Sequence, residues 1–286
     1  MALQSLDLLH IKKILTKTAL EVGQIIVEKN GTLLFNDKKN SVDLVTELDK
    51  KVEEIIKLRL STEFPDFKFI GEETFRPGID KIGPDPTFII DPIDGTSNFI
   101  HGFPFSCTSL ALVYQNEPVV GVVYNPHINQ LFSAAKGHGA FLNDKPLGDF
   151  SNKPLSLQSS LIALEGGSDR EGNNFDVKFA TFKQLLYQKG GFIHGFRSFG
   201  SAALNLCYVA MGCLDSYWMW CQFYDCAASW IIAKENGVVI VDGNKGNYGP
   251  VSIENKSFLC VRNCPKEDQD KYIVEFWGNV MGVLEK

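Results

Sequence analysis

The residues best equipped for chemistry lie in Phe88-Ile-Ile-Asp91-Pro92-Ile93-Asp94-Gly95-Thr96-Ser97-Asn98-Phe99. An apolar strand delivers Asp91 at its end, Pro92 fixes the chain's φ, and Asp94-Gly95 turns it toward a helix start. Two carboxylates so spaced can point into one cleft, beside the free N–H groups of Gly95 and Thr96. Carboxylates attract a hard cation, whereas N–H groups at a helix start attract an anion. Together they describe a place for a metal-bridged phosphate. Taken alone, D-x-x-D is more often a turn with a helix cap. Two further acids shift that balance. Glu72 in Gly71-Glu72-Glu73 follows a predicted strand, and Asp225 opens a predicted helix, where by itself it would serve as the cap. Three separated acids, each at the end of an element where a cleft forms, fit a metal site better than three unrelated caps.

Other chemistries fail on spacing. An EF-hand needs oxygen ligands at alternate positions, and Pro92, Ile93 and Gly95 break that order. An aspartyl-nucleophile phosphatase needs its two Asp one residue apart, closer than Asp91 and Asp94. The chain has no G-x-x-x-x-G-K-[ST], G-x-G-x-x-G, G-x-S-x-G or H-E-x-x-H. Its 5 His include His101 and His194, read as packing or loop residues. The 7 Cys include no C-x-x-C pair, and Cys260 and Cys264 lack partners for a zinc set, so reduced thiols in a cytoplasmic protein are expected. A net charge of −6 with no basic block argues against nucleic acid as a partner. No apolar run approaches the roughly 20 residues of a membrane span, and Met1 to Leu20 resembles no targeting peptide.

These acids need elements to position them. Leu8, Ile11, Leu15, Ala19, Val22 and Ile26 recur at helical spacing, predicting an amphipathic helix over Leu3–Glu28, ended by Asn30-Gly31. A second helix is predicted over Thr46–Leu60, with Thr46 as cap and Asp49 three residues on. Phe67–Ile70 and Thr87–Ile90 read as short strands. Cys107 to Leu142 reads as an antiparallel meander, punctuated at Asn116-Glu117 and Asn125-Pro126. Beyond Pro154 the pattern alternates: strands at Ser160–Leu164, Leu214–Trp218 and Val238–Val241, helices at Phe175–Gln188, Ser201–Met211 and Asp225–Asn236. With no repeat or linker, residues 1–286 read as a single domain of α+β or layered α/β class.

The ordered set Asp91-Pro-Ile-Asp94-Gly-Thr96-x-Asn98-Phe, Gly71-Glu72-Glu73 and Asp225-x-Ala227-Ala228 resembles the signatures of the inositol monophosphatase family. The similarity extends almost end to end, from Val42-Asp43-Leu-Val-Thr46-x-x-Asp49 to the C-terminal strands. It implies a five-layered αβαβα sandwich with mixed sheets. It also implies a Mg²⁺-dependent phosphomonoesterase, sensitive to lithium, homodimeric, and acting on a small-molecule phosphomonoester. Carried over by residue, Glu72, Asp91 and the Ile93 carbonyl would hold one Mg²⁺, and Asp91, Asp94 and Asp225 a second. Glu72 and water would hold a weaker third, with Asp49 and Thr96 orienting or activating the attacking water. The N–H groups of Gly95 and Thr96 would bind phosphate beside Asp94. Gly200, Ser201 and Ala202 would line the substrate's ring side, with Ser168 close by and Asp225 and Met219 also facing the substrate. Independently, no Cys, His or Ser nucleophile is motif-placed, so metal-activated water is the economical route to a very slow hydrolysis.

The resemblance departs from the pattern in one stretch. In Asp215-Ser216-Tyr217-Trp218-Met219, Met219 stands where the family has an acid that accepts from ring hydroxyls. The following Trp220–Tyr224 stretch is one residue short before Asp225, and Tyr224 replaces a Trp. An unpaired substrate hydroxyl costs about 1–3 kcal/mol, and Gln222 offers a partial substitute. The expected substrate is myo-inositol 1-phosphate, with another sugar or polyol phosphate as the alternative. A non-catalytic relative that keeps fold and metal is the rival from another class.

Overall fold

The computed structural model describes residues 6–29, 35–37, 44–246, 248–249 and 251–285. The Val42-Asp43 part of the resemblance, the Asn30-Gly31 stop and the Thr46 side chain lie outside what it describes. The predicted N-terminal helix is α1 (Leu8–Lys29), and its periodic residues Ile11, Leu15, Ala19, Val22 and Ile26 are all buried. Each large apolar side chain sealed in this way stabilises the fold by about 1.5–3 kcal/mol. Helix α2 (Glu47–Glu63) follows a small antiparallel pair, β1 (Phe35–Asp37) and β2 (Leu44–Thr46).

Both helices cover one face of a seven-stranded mixed sheet. Its strands, in spatial order, are β3 (Lys68–Gly71), β4 (Thr87–Asp94), β5 (Cys107–Tyr114), β6 (Glu117–Asn125), β7 (Gln130–Ala135), β8 (Ala140–Leu142) and β9 (Lys145–Pro146). Only β3 and β4 run parallel; the remainder is the antiparallel meander expected from the sequence. Short helix α3 (Thr96–Ile100) follows β4, and α4 (Asn173–Leu186) lies in the second half. The other face of the sheet packs on α5 (Ala202–Ala210) and α6 (Phe223–Glu235). Strands β4 and β5 are buried along their whole length because helices cover both faces, which is why they read as near-continuous apolar text. Gly121 on β6 lets α6 approach closely: a Cβ there would come within 2.2 Å of the Ala228 carbonyl.

Helices α5 and α6 are shared with a five-stranded sheet ordered β11 (Gly195–Arg197), β10 (Leu161–Leu164), β12 (Ser216–Trp220), β14 (Ser257–Val261), β13 (Val239–Asp242). Here β10 runs parallel to both β11 and β12, and β14 is antiparallel to β12 and β13. Its outer face is closed by α4 and α7 (Lys266–Gly278), with Phe182, Leu185, Tyr272 and Phe276 in that core. The layers are therefore α1/α2, sheet, α5/α6, sheet, α4/α7: the αβαβα sandwich with two mixed sheets. Among the described residues no helix is long and apolar enough to cross a membrane.

Several elements differ from their predicted form. Strand β4 does not stop at Ile90 but runs through Pro92 to Asp94. Its pairing with β5 steps from Asp91↔Ser109 to Asp94↔Cys107, three residues against two, so a bulge absorbs the proline. Helix α6 starts at Phe223, with Gln222 as its cap and Asp225 in its first turn. Helix α7 and strands β11 and β14 carry no pattern that separates them from loops in the sequence.

Candidate active site

The bulge in β4 decides where the two motif acids point. In a regular strand, residues three apart face opposite sides, yet Asp91 and Asp94 sit opposite Ser109 and Cys107, which share a face. Both carboxylates are thus turned toward α5 and α6, while the Ile93 side chain packs into the core under α1 and α2. Gly95 follows at φ +86°, where a side chain would be strained and would crowd the Phe105 carbonyl at 2.9 Å. Thr96 opens α3, and its hydroxyl donates to the Ile93 carbonyl at 3.1 Å.

Glu72 arrives from β3, the parallel neighbour of β4, in a short 3₁₀ turn over Glu72–Thr74. The turn rests on Glu53 of α2, a buried carboxylate that no sequence motif singles out. Glu53 accepts from the Glu73 N–H at 2.8 Å, the Thr74 hydroxyl at 2.7 Å and the Lys57 ammonium at 2.7 Å. Gly71 is required beneath it, since a Cβ would lie 2.3 Å from the Glu53 carboxyl carbon. Asp225 comes from the second half, where its Oδ2 accepts from the Gln222 N–H at 2.9 Å in a reciprocal capping arrangement.

These three acids converge. One carboxylate oxygen each from Glu72, Asp91 and Asp225 lies within 4.8 Å of the others. Asp91 is buried, and its Oδ1 has no hydrogen-bond partner. Burial, then the negative charges of Glu72, Asp94 and Asp225, push its carboxyl well above the usual carboxylate range. Burial and the charges of Glu72 and Asp94 do the same to Asp225, against the pull of the Gln222 N–H. An orphaned buried oxygen among like charges, with an all-oxygen donor set, fits a hard divalent cation. Asp94 stands beside this group but is engaged by protein: its Oδ2 accepts from the Ser201 hydroxyl (2.5 Å) and the Ala203 N–H (2.8 Å), and its Oδ1 from the Ala202 N–H (3.3 Å). Burial raises its pKa to about 6, while the bonds from Ser201, Ala203 and Ala202 hold it down.

A pocket of about 340 Å³ opens over Glu72 and Asp225. Ser168 lies on its wall, as do Lys178, Trp220, Cys221 and Gln222. Met219, expected to face the substrate, is 2% exposed in the core between the sheets, where its sulfur accepts from the Cys221 thiol. Gly200, Ser201 and Ala202 form the turn into α5 that holds Asp94. Asp49 is buried in the first turn of α2. His101 and His194 are exposed loop residues. A larger groove of about 660 Å³ lies at the opposite end of α6, near Trp230 and Glu235, and holds no converging acids among the described residues. Glu53 and Glu165, both central to the loops around the site, escape sequence reasoning because neither stands in a motif whose spacing marks it.

This assembly of acids, from the ends of two parallel strands and the first turn of a helix inside an αβαβα sandwich, has counterparts among known proteins. Residues 7–281 match the profile of the inositol monophosphatase family. The chain is 52% identical over 272 residues to inositol monophosphatase 2 of Saccharomyces cerevisiae, covering 93% of this chain and 92% of that one. It is 49% identical over 294 residues to inositol monophosphatase 1 of the same yeast, covering 98% and 99%. Among solved structures, the extragenic suppressor protein suhB from Bartonella henselae superposes with a TM-score of 0.79 at 30% identity, over 96% of this chain and all of that one. Sequence match and fold agree along nearly the whole length: the chain belongs to the inositol monophosphatase family.

Proposed function

We propose that this protein is a Mg²⁺-dependent phosphomonoesterase that hydrolyses myo-inositol 1-phosphate to inositol and phosphate. The observation that carries this is the convergence of Glu72, Asp91 and Asp225 within 4.8 Å, with a buried Asp91 oxygen that no protein group satisfies. Glu72, Asp91 and Asp225 would hold Mg²⁺, joined by Asp94 and the Ile93 carbonyl. When bound, the metal supplies charge neutralisation for the phosphoryl group and acidifies water. Asp49 and Thr96 orient the attacking water, and the N–H groups of Gly95 and Thr96 hold phosphate oxygens. Reading the chain as a single domain is supported by the α5/α6 layer that both sheets share. Cytoplasmic location, lithium sensitivity and a homodimer follow from the same family reading, and sedimentation of the purified protein tests the last.

Phosphate release from myo-inositol 1-phosphate, with Mg²⁺ and with a chelator, tests the proposal. Rapid release that the chelator abolishes is the expected result; absence of release from any phosphomonoester would favour a non-catalytic relative. One observation favours a second reading, in which another sugar or polyol phosphate is preferred. Met219, at the position of the family's acid, is buried in the core, and the pocket wall presents Trp220, Gln222 and the buried Lys178, whose ammonium donates to the Gly166 carbonyl at 3.3 Å. Comparing rates on several sugar phosphates separates the two.

A further inference from the structure

Four donors converge on Glu165, the residue that follows β10. Its Oε1 accepts from the N–H groups of Phe199 (2.8 Å) and Gly200 (2.9 Å) and from Asn205 Nδ2 (2.7 Å). Its Oε2 accepts from the Ser198 hydroxyl at 2.6 Å. All four donors come from the segment after β11 and from α5. Strands β10 and β11 are parallel neighbours, so Glu165 and this segment leave the sheet at the same edge. The segment continues into Ser201, Ala202 and Ala203, the groups that hold Asp94. Its other side is gripped by Asn98, from the acidic motif itself, which donates to the Phe199 carbonyl at 2.5 Å and the Phe105 carbonyl at 2.8 Å. Gly200 takes φ +76°, and a Cβ there would meet the Asn98 amide at 3.1 Å.

We infer that Glu165 is a positioning residue whose reach sets the 198–203 segment, and through it the orientation of Asp94 and the pocket wall at Gly200–Ala202. This rests on the reading of Asp94 as part of the metal-binding set. Reach matters more than charge here. A glutamine would keep its amide oxygen on the three donors at Oε1 and offer its NH₂ to Ser198, whose hydroxyl can accept. An aspartate would keep the charge but draw the oxygens back by one methylene, about 1.5 Å, out of hydrogen-bond range.

The test titrates Mn²⁺ alone into the full chain and into Glu165→Gln, Glu165→Asp and Glu165→Ala by calorimetry. It adds KM and kcat on whichever phosphomonoester the wild type turns over, and unfolding in chelator. Glu165→Gln is expected to keep Mn²⁺ affinity and KM within about threefold, whereas Glu165→Asp and Glu165→Ala weaken Mn²⁺ about tenfold or more and raise KM more than they lower kcat. If Glu165→Ala does not fold, the Gln and Asp pair still decides. The reverse order, or equal Mn²⁺ affinity in all variants, overturns the inference. Asp91→Asn run alongside separates the two layers of the argument. Unchanged Mn²⁺ binding in Asp91→Asn removes the metal reading and this inference with it. Loss in Asp91→Asn, with none in the Glu165 variants, removes this inference alone.

Discussion

Replacing Asp91 by asparagine should make the metal-free protein more stable while abolishing turnover. The amide has the same shape, keeps an acceptor, and offers an NH₂ to its acidic neighbours, but carries no charge. Two unit charges 4.8 Å apart repel by about 3 kcal/mol at an effective dielectric of about 20. Asp91 faces Glu72 and Asp225 at or within that distance, so ionising Asp91 beside both would cost on the order of 7 kcal/mol. The wild type escapes part of this by taking up a proton. Protonating a carboxyl whose unfolded pKa is about 3.9 costs about 4 kcal/mol at pH 7 and about 1–2 kcal/mol at pH 5. The smaller quantity sets the limit, so Asp91→Asn should gain up to about 4 kcal/mol at pH 7 and progressively less toward pH 5. The sign follows from the raised pKa of Asp91: the chelated wild type gains stability as pH falls toward the unfolded value and loses it as pH rises, whereas the Asp91→Asn protein keeps only the weaker dependence that Asp225 and Asp94 contribute. At roughly 2–3 °C per kcal/mol for a chain this long, thermal unfolding in EDTA should rise by about 8–12 °C at pH 7. In saturating Mg²⁺ the order should invert, because only the wild type gains binding energy. An Asp91→Asn protein less stable than wild type in EDTA, or a difference that ignores pH, would refute the electrostatic account.

Three further outcomes follow from the same geometry. Glu53→Ala strips the acceptor from the Glu73 N–H and Thr74 beneath the Glu72 turn; it should cost about 2–4 kcal/mol in urea unfolding and weaken Mg²⁺ binding by calorimetry. Gly121→Ala forces a methyl into the Ala228 carbonyl at 2.2 Å and the Ile231 side chain at 2.6 Å, so α6 must move off β6; denaturant titration should show a loss of about 2–3 kcal/mol. Asp94, with its pKa raised to about 6, holds a proton below that pH in the metal-free protein. Since the carboxyls of Asp91 and Asp225 are pushed up as well, apparent Mg²⁺ affinity should fall as pH drops across pH 5–8 and fall more steeply below about pH 6, where Asp94 adds up to about tenfold per pH unit, as calorimetry would show.

Much of the scaffold is legible because burial imposes period on sequence. The α1 stripe and the meander strands stand out, since each must bury one face or two. Helix α7 does not, because its apolar residues Tyr272, Ile273, Phe276 and Trp277 are confined to its later turns and meet only the outer face of the second sheet. The sequence ends the strand at Ile90, and a bulge that depends on pairing with β5 carries it through Pro92 to Asp94. Glu165 and Glu53 are invisible for a different reason: the loop groups they hold lie 20 to 40 residues away in the chain, and no local spacing encodes that.

The chemistry on offer is written along the chain: acids at element ends, glycines at tight turns, and no competing nucleophile motif. Residue types set that much, because hard oxygen donors and free N–H groups act through their own charge and dipoles wherever the chain carries them. Packing settles which atoms meet. One extra residue in β4 turns Asp91 and Asp94 to the same side, and the β12 register buries Met219 while Trp220–Gln222 reach the pocket. Side-chain direction in a strand reverses with each residue, so a single slip in pairing moves a carboxylate from one face of a sheet to the other. That register is fixed by neighbours distant in sequence, and the site exists only once they have packed.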